Sequence, residues 1–298
     1  MKNCGVDLSR SRNGADNTSG TFRKIIIFTD LDGTLLDGTL LDGAYSHHAA
    51  DEALRFIRKK NVPLVICSSK TRAEIQHYQK KLEIAGPFIS ENGGAVYIPR
   101  GYFSPETEDS IDYDENERIF RVIRLGAKYR DLRATLIEMR NQGFDVRGFG
   151  DMSTSEIARL TKLPEDEAIL AARREFDEPF IYQGNADETG TIADIIHSKG
   201  FRLTRGAFFH ILGQSDKGRA VSILVDMYRK EFGEVLAVAL GNSPNDLPLL
   251  QAVNVPVIIQ KPDGSYDPEL EKGNFHKAEG IGPKGWNKAI MKILSALP

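Results

Sequence analysis

Residues 24–35 read Lys24-Ile25-Ile26-Ile27-Phe28-Thr29-Asp30-Leu31-Asp32-Gly33-Thr34-Leu35. A short, unbroken apolar run predicts a strand covered on both faces, as in a parallel sheet. It ends on two carboxylates two residues apart, followed by a glycine that permits a sharp turn. In open parallel sheets, ligands bind at the carboxyl ends of the strands. Two close carboxylates repel each other unless a cation or a proton relieves them. A hard dication with oxygen ligands gives that relief, and Mg²⁺ also brings phosphate. Asp30 then reads as a nucleophile toward phosphorus. Asp32 reads as the acid that protonates the leaving oxygen and the base that next activates water. Asp-Gly is also a common turn pair, and without the preceding strand a plain turn would be the better account. The tandem Gly-Thr-Leu-Leu-Asp at 33–37 and 38–42 repeats the carboxylate without the strand, so Asp37 and Asp42 are read as loop residues.

Outward from this stretch, strand and helix signals alternate. A helix is expected over 46–60, a strand over 62–67 and a strand over 87–90 that returns as a hairpin at 94–98. Thr71-Arg72-Ala73-Glu74 is a capping-box pattern opening a helix to about 82. The middle differs. An acidic loop at 101–117 precedes expected strands at 120–125, 144–148 and 179–183, with helices at 129–141, 154–160, 165–174 and 192–199. The first pattern resumes with strands at 207–212, 235–240 and 255–259 and helices at 217–232, from 244 and at 286–297. These signals predict an α/β protein: a Rossmann-like parallel-sheet core from 22–103 and 205–298, with an inserted α+β cap domain at 104–204. Residues 1–21, rich in Ser, Asn, Gly and Arg, are expected to form a disordered extension.

The 298 residues suffice for two domains without disulfide or metal support. A net charge of −3 predicts no general attraction to nucleic acid or to anionic membranes. Two cysteines, Cys4 and Cys67, give no disulfide framework and fit a reducing compartment. With no apolar stretch of spanning length and no apolar signal core, a cytoplasmic enzyme acting on a small molecule is expected, as a monomer or homodimer.

Three further segments carry groups that complement the carboxylates. Ser68 and Ser69 follow the second expected strand and can offer a hydroxyl and backbone N–H groups to phosphate oxygens, or simply cap a helix. Lys217 stands at a helix start, at odds with the helix dipole unless an anion balances it. Gly241-Asn242-Ser243-Pro244-Asn245-Asp246 ends another buried strand; it suits a helix start, and its Asn and Asp equally suit a Mg²⁺ shell. Gly280-Ile281-Gly282-Pro283-Lys284-Gly285 fits the dinucleotide fingerprint in form, but it is expected to follow a polar loop and contains a proline, so it is set aside. The histidines show no metal-ligand spacing, and His47-His48 reads as a helix-start pair.

In this order the motifs resemble the haloacid dehalogenase superfamily, in members whose large α/β cap is inserted between the second and third motifs. Cys67 to Glu74, Ser90 to Ala95, Arg174 to Phe180 and Gly280 to Asn287 further resemble the mannosyl-3-phosphoglycerate phosphatase family. The resemblance implies hydrolysis of a phosphorylated glycosyl-glycerate, 2-O-mannosyl-3-phosphoglycerate or its glucosyl analogue, through a phosphoaspartate at Asp30. It implies Mg²⁺ held by Asp30, Asp32 and Asn242 with Asp246 nearby, phosphate held by Ser68, Ser69 and Lys217, and cap contacts from Arg147, Arg174 and Glu178. One position departs: the family carries Asp where this chain has Asn242, which predicts weaker Mg²⁺ binding or an inward Asp246. A phosphomannomutase-like phosphotransferase and a slow phosphate sensor stand as alternatives.

Overall fold

The computed structural model describes residues 24–37, 45–206 and 208–296. The expected N-terminal extension and the second copy of the tandem lie outside them. The strands, in chain order, are β1 Lys24–Thr29, β2 Leu64–Cys67, β3 Phe88–Ser90, β4 Ala95–Pro99, β5 Glu115–Asn116, β6 Phe120–Arg124, β7 Val146–Gly148, β8 Asp177–Tyr182, β9 Arg202–Arg205, β10 Phe209–Leu212, β11 Val235–Gly241, β12 Val255–Gln260 and β13 His276–Ile281. They form a large sheet of order β13-β12-β11-β1-β2-β3-β4-β6-β5 and a small one of order β7-β8-β10-β9.

In the large sheet, β13 through β3 run parallel, and the β3–β4 hairpin reverses direction. Both faces are buried, as the unbroken apolar runs require. Ile27, Ile66 and Leu240 pack on one face beneath the helices Asp51–Lys59 and Gly282–Ser295. Ile26, Phe28, Val65 and Ala239 pack on the other beneath Lys217–Phe232 and Leu247–Gln251. The chain leaves β1 toward β2 on one side and returns to β11 on the other. The strand order therefore reverses beside β1, which is where open α/β sheets form their ligand crevice.

The small sheet is antiparallel. One face, with Val146, Phe180 and Ile211, packs on Leu132, Leu136, Ile192 and Ile196 of two helices. Its makeup corrects two expectations. The strand expected in the cap at 120–125 is β6, which pairs with β4 in the large sheet. The strand expected to resume the core at 207–212 is β10, which pairs with β8 and β9 in the small sheet. The two chain crossings between the sheets lie together: Leu125 and Gly126 donate to Gly94 O, and a Cβ at Gly213 would lie 2.5 Å from Ala127 N.

Candidate active site

β2, β1 and β11 are adjacent and parallel, so the residues that follow them meet at one edge of the sheet. Asp30 follows β1, and its N–H donates to Leu240 O at 3.0 Å, level with the end of β11. Lys217 opens its helix beside the N-cap Asp216, whose side chain accepts from Arg219 N. The Lys217 ammonium is buried and lies 2.8 Å from Asp30 Oδ1 and 2.6 Å from Asp246 Oδ1. The other Asp246 oxygen accepts from the N–H groups of Asn242 and Ser243, at 3.0 and 3.1 Å. Both of its oxygens are thus engaged, and the side chain ties Lys217 to the turn after β11. Asn242 lies against the Asp32–Gly33 turn: a Cβ at Gly33 would sit 2.2 Å from Asn242 Nδ2, and Gly33 has φ +71°. Only glycine satisfies both conditions without strain.

Ser68 is buried, and its Oγ accepts from Lys70 N at 3.2 Å. Ser69 offers its carbonyl to Arg174 Nη1 at 2.9 Å. Lys70, not singled out by sequence reasoning, is buried and 3.1 Å from Asp32 Oδ1. It also lies 3.6 Å from Glu74 Oε1 and 4.6 Å from the centre of the Tyr45 ring. The signal existed: Lys70 is a lysine just ahead of a helix, as Lys217 is one in a helix's first position, and at either place only an anion makes it welcome. A third loop closes the group. A Cβ at Gly93, which has φ +90°, would meet Asp216 O at 2.1 Å, and Asn92 Oδ1 accepts from Asn245 at 3.0 Å.

The electrostatics of this cluster are one-sided. Burial, then the charges of Asp246 and Asp32, push the Asp30 carboxyl up to about 7, against the opposing pull of Lys217. Burial would strip Lys217 of its proton, but Asp246 and Asp30 outweigh it and keep the ammonium charged. Four carboxylates, Asp30, Asp32, Asp246 and Glu74, face the two ammonium groups of Lys217 and Lys70, before any phosphate arrives. The donor set is oxygen-rich and short of positive charge, which suits a hard divalent cation.

The haloacid dehalogenase-like hydrolase family matches residues 27–262. The chain belongs to this family. A glucosyl-3-phosphoglycerate/mannosyl-3-phosphoglycerate phosphatase of Methanococcoides burtonii is 44% identical over 91% of this chain and 97% of its own length. One of the same name from Persephonella marina is 42% identical over 92% and 98%. The haloacid dehalogenase-like hydrolase described here is accordingly a phosphatase. A solved phosphatase of the superfamily from Bacteroides thetaiotaomicron shares the fold at a TM-score of 0.60 and 18% identity, over 96% of this chain and 99% of that one.

In this haloacid dehalogenase-like hydrolase a cavity of about 660 Å³ is lined by Asp32, Ser69, Lys70 and Lys217 below and by cap residues above, with Asp30, Ser68, Asn242 and Asp246 behind that lining. That volume falls within the roughly 300–1,000 Å³ of small-molecule sites. Of the three cap candidates, Arg174 lines it, partly buried and 3.8 Å from Asp177. Arg147 and Glu178 do not line it. Arg147 pairs with Glu156 at 2.6 Å, and Glu178 is buried against Arg133 at 2.8 Å. Sequence alone could not show that each had a partner inside the cap.

Two other expectations change. His47, His48 and Asp51 bring ligand atoms within 4.8 Å of one another, a grouping the spacing did not suggest. Arg55, Arg58 and Lys81 line the adjoining pocket with His47 and Asp51, an adverse surrounding for a dication. The glycine segment at 280–285 does follow a strand, β13, and does open a helix, with Pro283 in its first turn. Its glycines are filled by the chain itself, since a Cβ at Gly285 would lie 2.1 Å from Gly280 O. Gly282 backs onto Gly33 O and Leu36 O, at 3.8 and 3.7 Å from an added Cβ. Trp286 Nε1 donates to Thr29 Oγ1 at 3.0 Å. The segment braces the Asp30 loop from behind. Among the described residues, no helix is long and apolar enough to cross a membrane.

Proposed function

We propose that this phosphatase removes the phosphate of glucosyl-3-phosphoglycerate and mannosyl-3-phosphoglycerate, releasing the glycosylglycerate. The observation that carries the chemistry is Lys217, held between Asp30 and Asp246 on the cavity floor. The substrate class rests on the two relatives above 40% identity whose names give both glycosides. The sequence pointed first to the mannosyl ester, and the names of these relatives support both.

Asp30 attacks phosphorus, the bond from phosphorus to the glycerate oxygen breaks, and Asp32 gives its proton to that oxygen. The phosphoryl group then rests on Asp30. Asp32 next takes a proton from water, the resulting hydroxide attacks phosphorus, and phosphate leaves with Asp30 restored. Lys70 lies 3.1 Å from one oxygen of Asp32 as an ion pair, without a formed hydrogen bond, and the other oxygen carries the proton. Lys217, the Ser68 hydroxyl and the Ser69 N–H bind the phosphoryl oxygens. Arg174 fixes the Ser69 peptide through its carbonyl. Asp246 positions Lys217 and is itself positioned by two backbone amides. A bound Mg²⁺ would supply the missing positive charge, and Asp30, the Asp32 carbonyl and Asn242 would hold it, with Asp246 positioning Lys217 and the Asn242 backbone beside it.

Phosphate release measured across both glycosyl-3-phosphoglycerates and a set of simple sugar phosphates tests the reading. We expect the two glycosides to exceed the simple esters by at least tenfold in kcat/KM. Equal turnover of all of them would defeat the substrate and leave a general phosphatase. Full turnover by Asp30→Asn would defeat the mechanism.

A further inference from the structure

The cap sheet has two unlike faces. One is packed on helices through Val146, Phe180 and Ile211. Residues directly opposite in an antiparallel pair lie on one face, and alternate residues of a strand lie on opposite faces. Leu212 stands opposite both Arg202 and Asp177, and His210 stands opposite both Thr204 and Pro179. Arg202, Thr204, His210 and Asp177 therefore share the face that looks away from the packed helices. Arg202, Thr204 and His210 all line the cavity over Lys217.

Two groups on this face keep hydrogen-bonding capacity that the described residues leave unused. Arg202 has no hydrogen-bond or ion-pair partner among the described residues, and its Nε is buried. His210 lies with Nδ1 3.0 Å from each oxygen of Asp177, which fixes the ring and leaves Nε2 without a partner among the described residues. Asp177 cannot neutralise Arg202, because it lies two strand spacings away, about 10 Å. It is taken up by His210 and by Arg174 at 3.8 Å. Arg205, directly after Thr204, differs: its guanidinium lies over the Phe209 ring. A guanidinium N–H buried at the wall of a cavity without an acceptor is unfavourable unless a ligand draws the fork round and provides one. Its planar fork matches a carboxylate in two parallel hydrogen bonds.

We propose that Arg202, assisted by the Asp177-oriented His210, is the specificity-determining residue of a carboxylate subsite on the cap, which selects phosphate esters carrying a second anionic group. The subsite rests on the reading of the cavity as the phosphatase site, and it names the part of the substrate that the cap recognises. Phosphate is held at the floor by Lys217 and Ser68, so the ester's carboxylate meets the roof. The subsite also gives the cap a reason to close over an acidic ester, since one molecule then bridges both domains.

The test uses a pair of esters that differ in one group: 3-phosphoglycerate, with a carboxylate, and glycerol 3-phosphate, with a hydroxymethyl in its place. The full-length enzyme with Mg²⁺ should favour the first in kcat/KM by about 10- to 100-fold, the range of a charge-assisted hydrogen bond. In Arg202→Met that ratio should fall to within threefold of one, and Arg202→Lys should restore part of it. Arg202→Gln carries the same expectation as Arg202→Met should the latter not fold. A ratio in wild type near one, or a ratio that Arg202→Met leaves intact, would overturn the subsite. The glycosides separate the two claims. If neither glycoside is hydrolysed while the ratio still depends on Arg202, the glycoside assignment falls and the subsite stands. If both are hydrolysed and the ratio ignores Arg202, the subsite falls alone.

Discussion

The most searching perturbation is to remove Lys217 and Asp246 singly and together. The Lys217 side chain is fully buried, and its ammonium lies between two carboxylates at 2.8 and 2.6 Å. Lys217→Met leaves Asp30 and Asp246 facing each other without a cation. Asp246→Asn turns an amide donor toward the ammonium and keeps one acceptor for the N–H groups of Asn242 and Ser243. Removing one member of a buried ion pair costs about 3–5 kcal/mol, and each single variant should lose that much in urea unfolding at pH 7.5 with EDTA present. Removing both members leaves Asp30 alone without its cation, where Lys217→Met leaves two facing carboxylates, so the double variant should lose about 2–3 kcal/mol less than the sum of the singles. Activity should behave differently. Lys217→Met withdraws a donor from the phosphoryl group and should lower kcat by about 10²–10³, and the double variant should recover none of it. Single losses below about 1 kcal/mol that simply add would mean that the three groups are solvated and independent. The charge argument for the site would then fail, whatever the kinetics showed.

Gly33→Ala should lose about 1–3 kcal/mol from backbone strain at φ +71°, and more if Asn242 cannot move away. Phosphate release should drop at least tenfold, and unchanged turnover would show that the Asp32–Gly33 turn is free to shift. Asn242→Asp adds a negative oxygen ligand, so the Mg²⁺ concentration for half activation should fall about tenfold; an unchanged value would remove position 242 from the metal shell. In the cap, burial would raise the Asp151 carboxyl, but hydrogen bonds from Arg133, Gly148 N–H and Arg140 hold it down to about 2. Its folded value lies below the unfolded 3.8, so its contribution is present above about pH 4 and is lost as pH falls toward 2. Screening limits it to about 1 kcal/mol. Asp151→Asn should therefore flatten the fall in melting temperature between pH 4 and 2, and an identical acid profile would contradict that assignment.

The chemistry of the floor was legible because parallel strands announce their own ends. Unbroken apolar runs such as Ile25–Phe28 and Val235–Leu240 occur only where a strand is covered on both faces. The polar residue after each run must then lie on one edge of the sheet. Lys217 stood out for a local reason as well, its conflict with the helix dipole. β13 was missed for the complementary reason: His276–Ile281 is an edge strand with only Ala278 buried, so its sequence carries no apolar run. Missing it also removed the context of the glycine segment, which does follow a strand and yet proves to be a brace.

The roof was illegible because its meaning depends on pairing. Phe120–Arg124 and Phe209–Leu212 are both short strands of mixed polarity, and nothing within either says which sheet it joins. Each was placed on the wrong side of the boundary. The same gap hid the cap side chains that face the cavity. Arg147 and Glu178 looked available in sequence, but Glu156 and Arg133 already answer them. Arg202 and His210 looked ordinary until the register set them on the open face. A residue's chemistry at the end of a parallel strand follows from its neighbours in the chain. In an antiparallel cap it follows from partners across the ladder, and a one-residue slip of β9 would turn Arg202 away and present Leu203 instead. The placement of the floor residues is thus written locally, while that of the roof residues is written in the pairing of β8, β9 and β10.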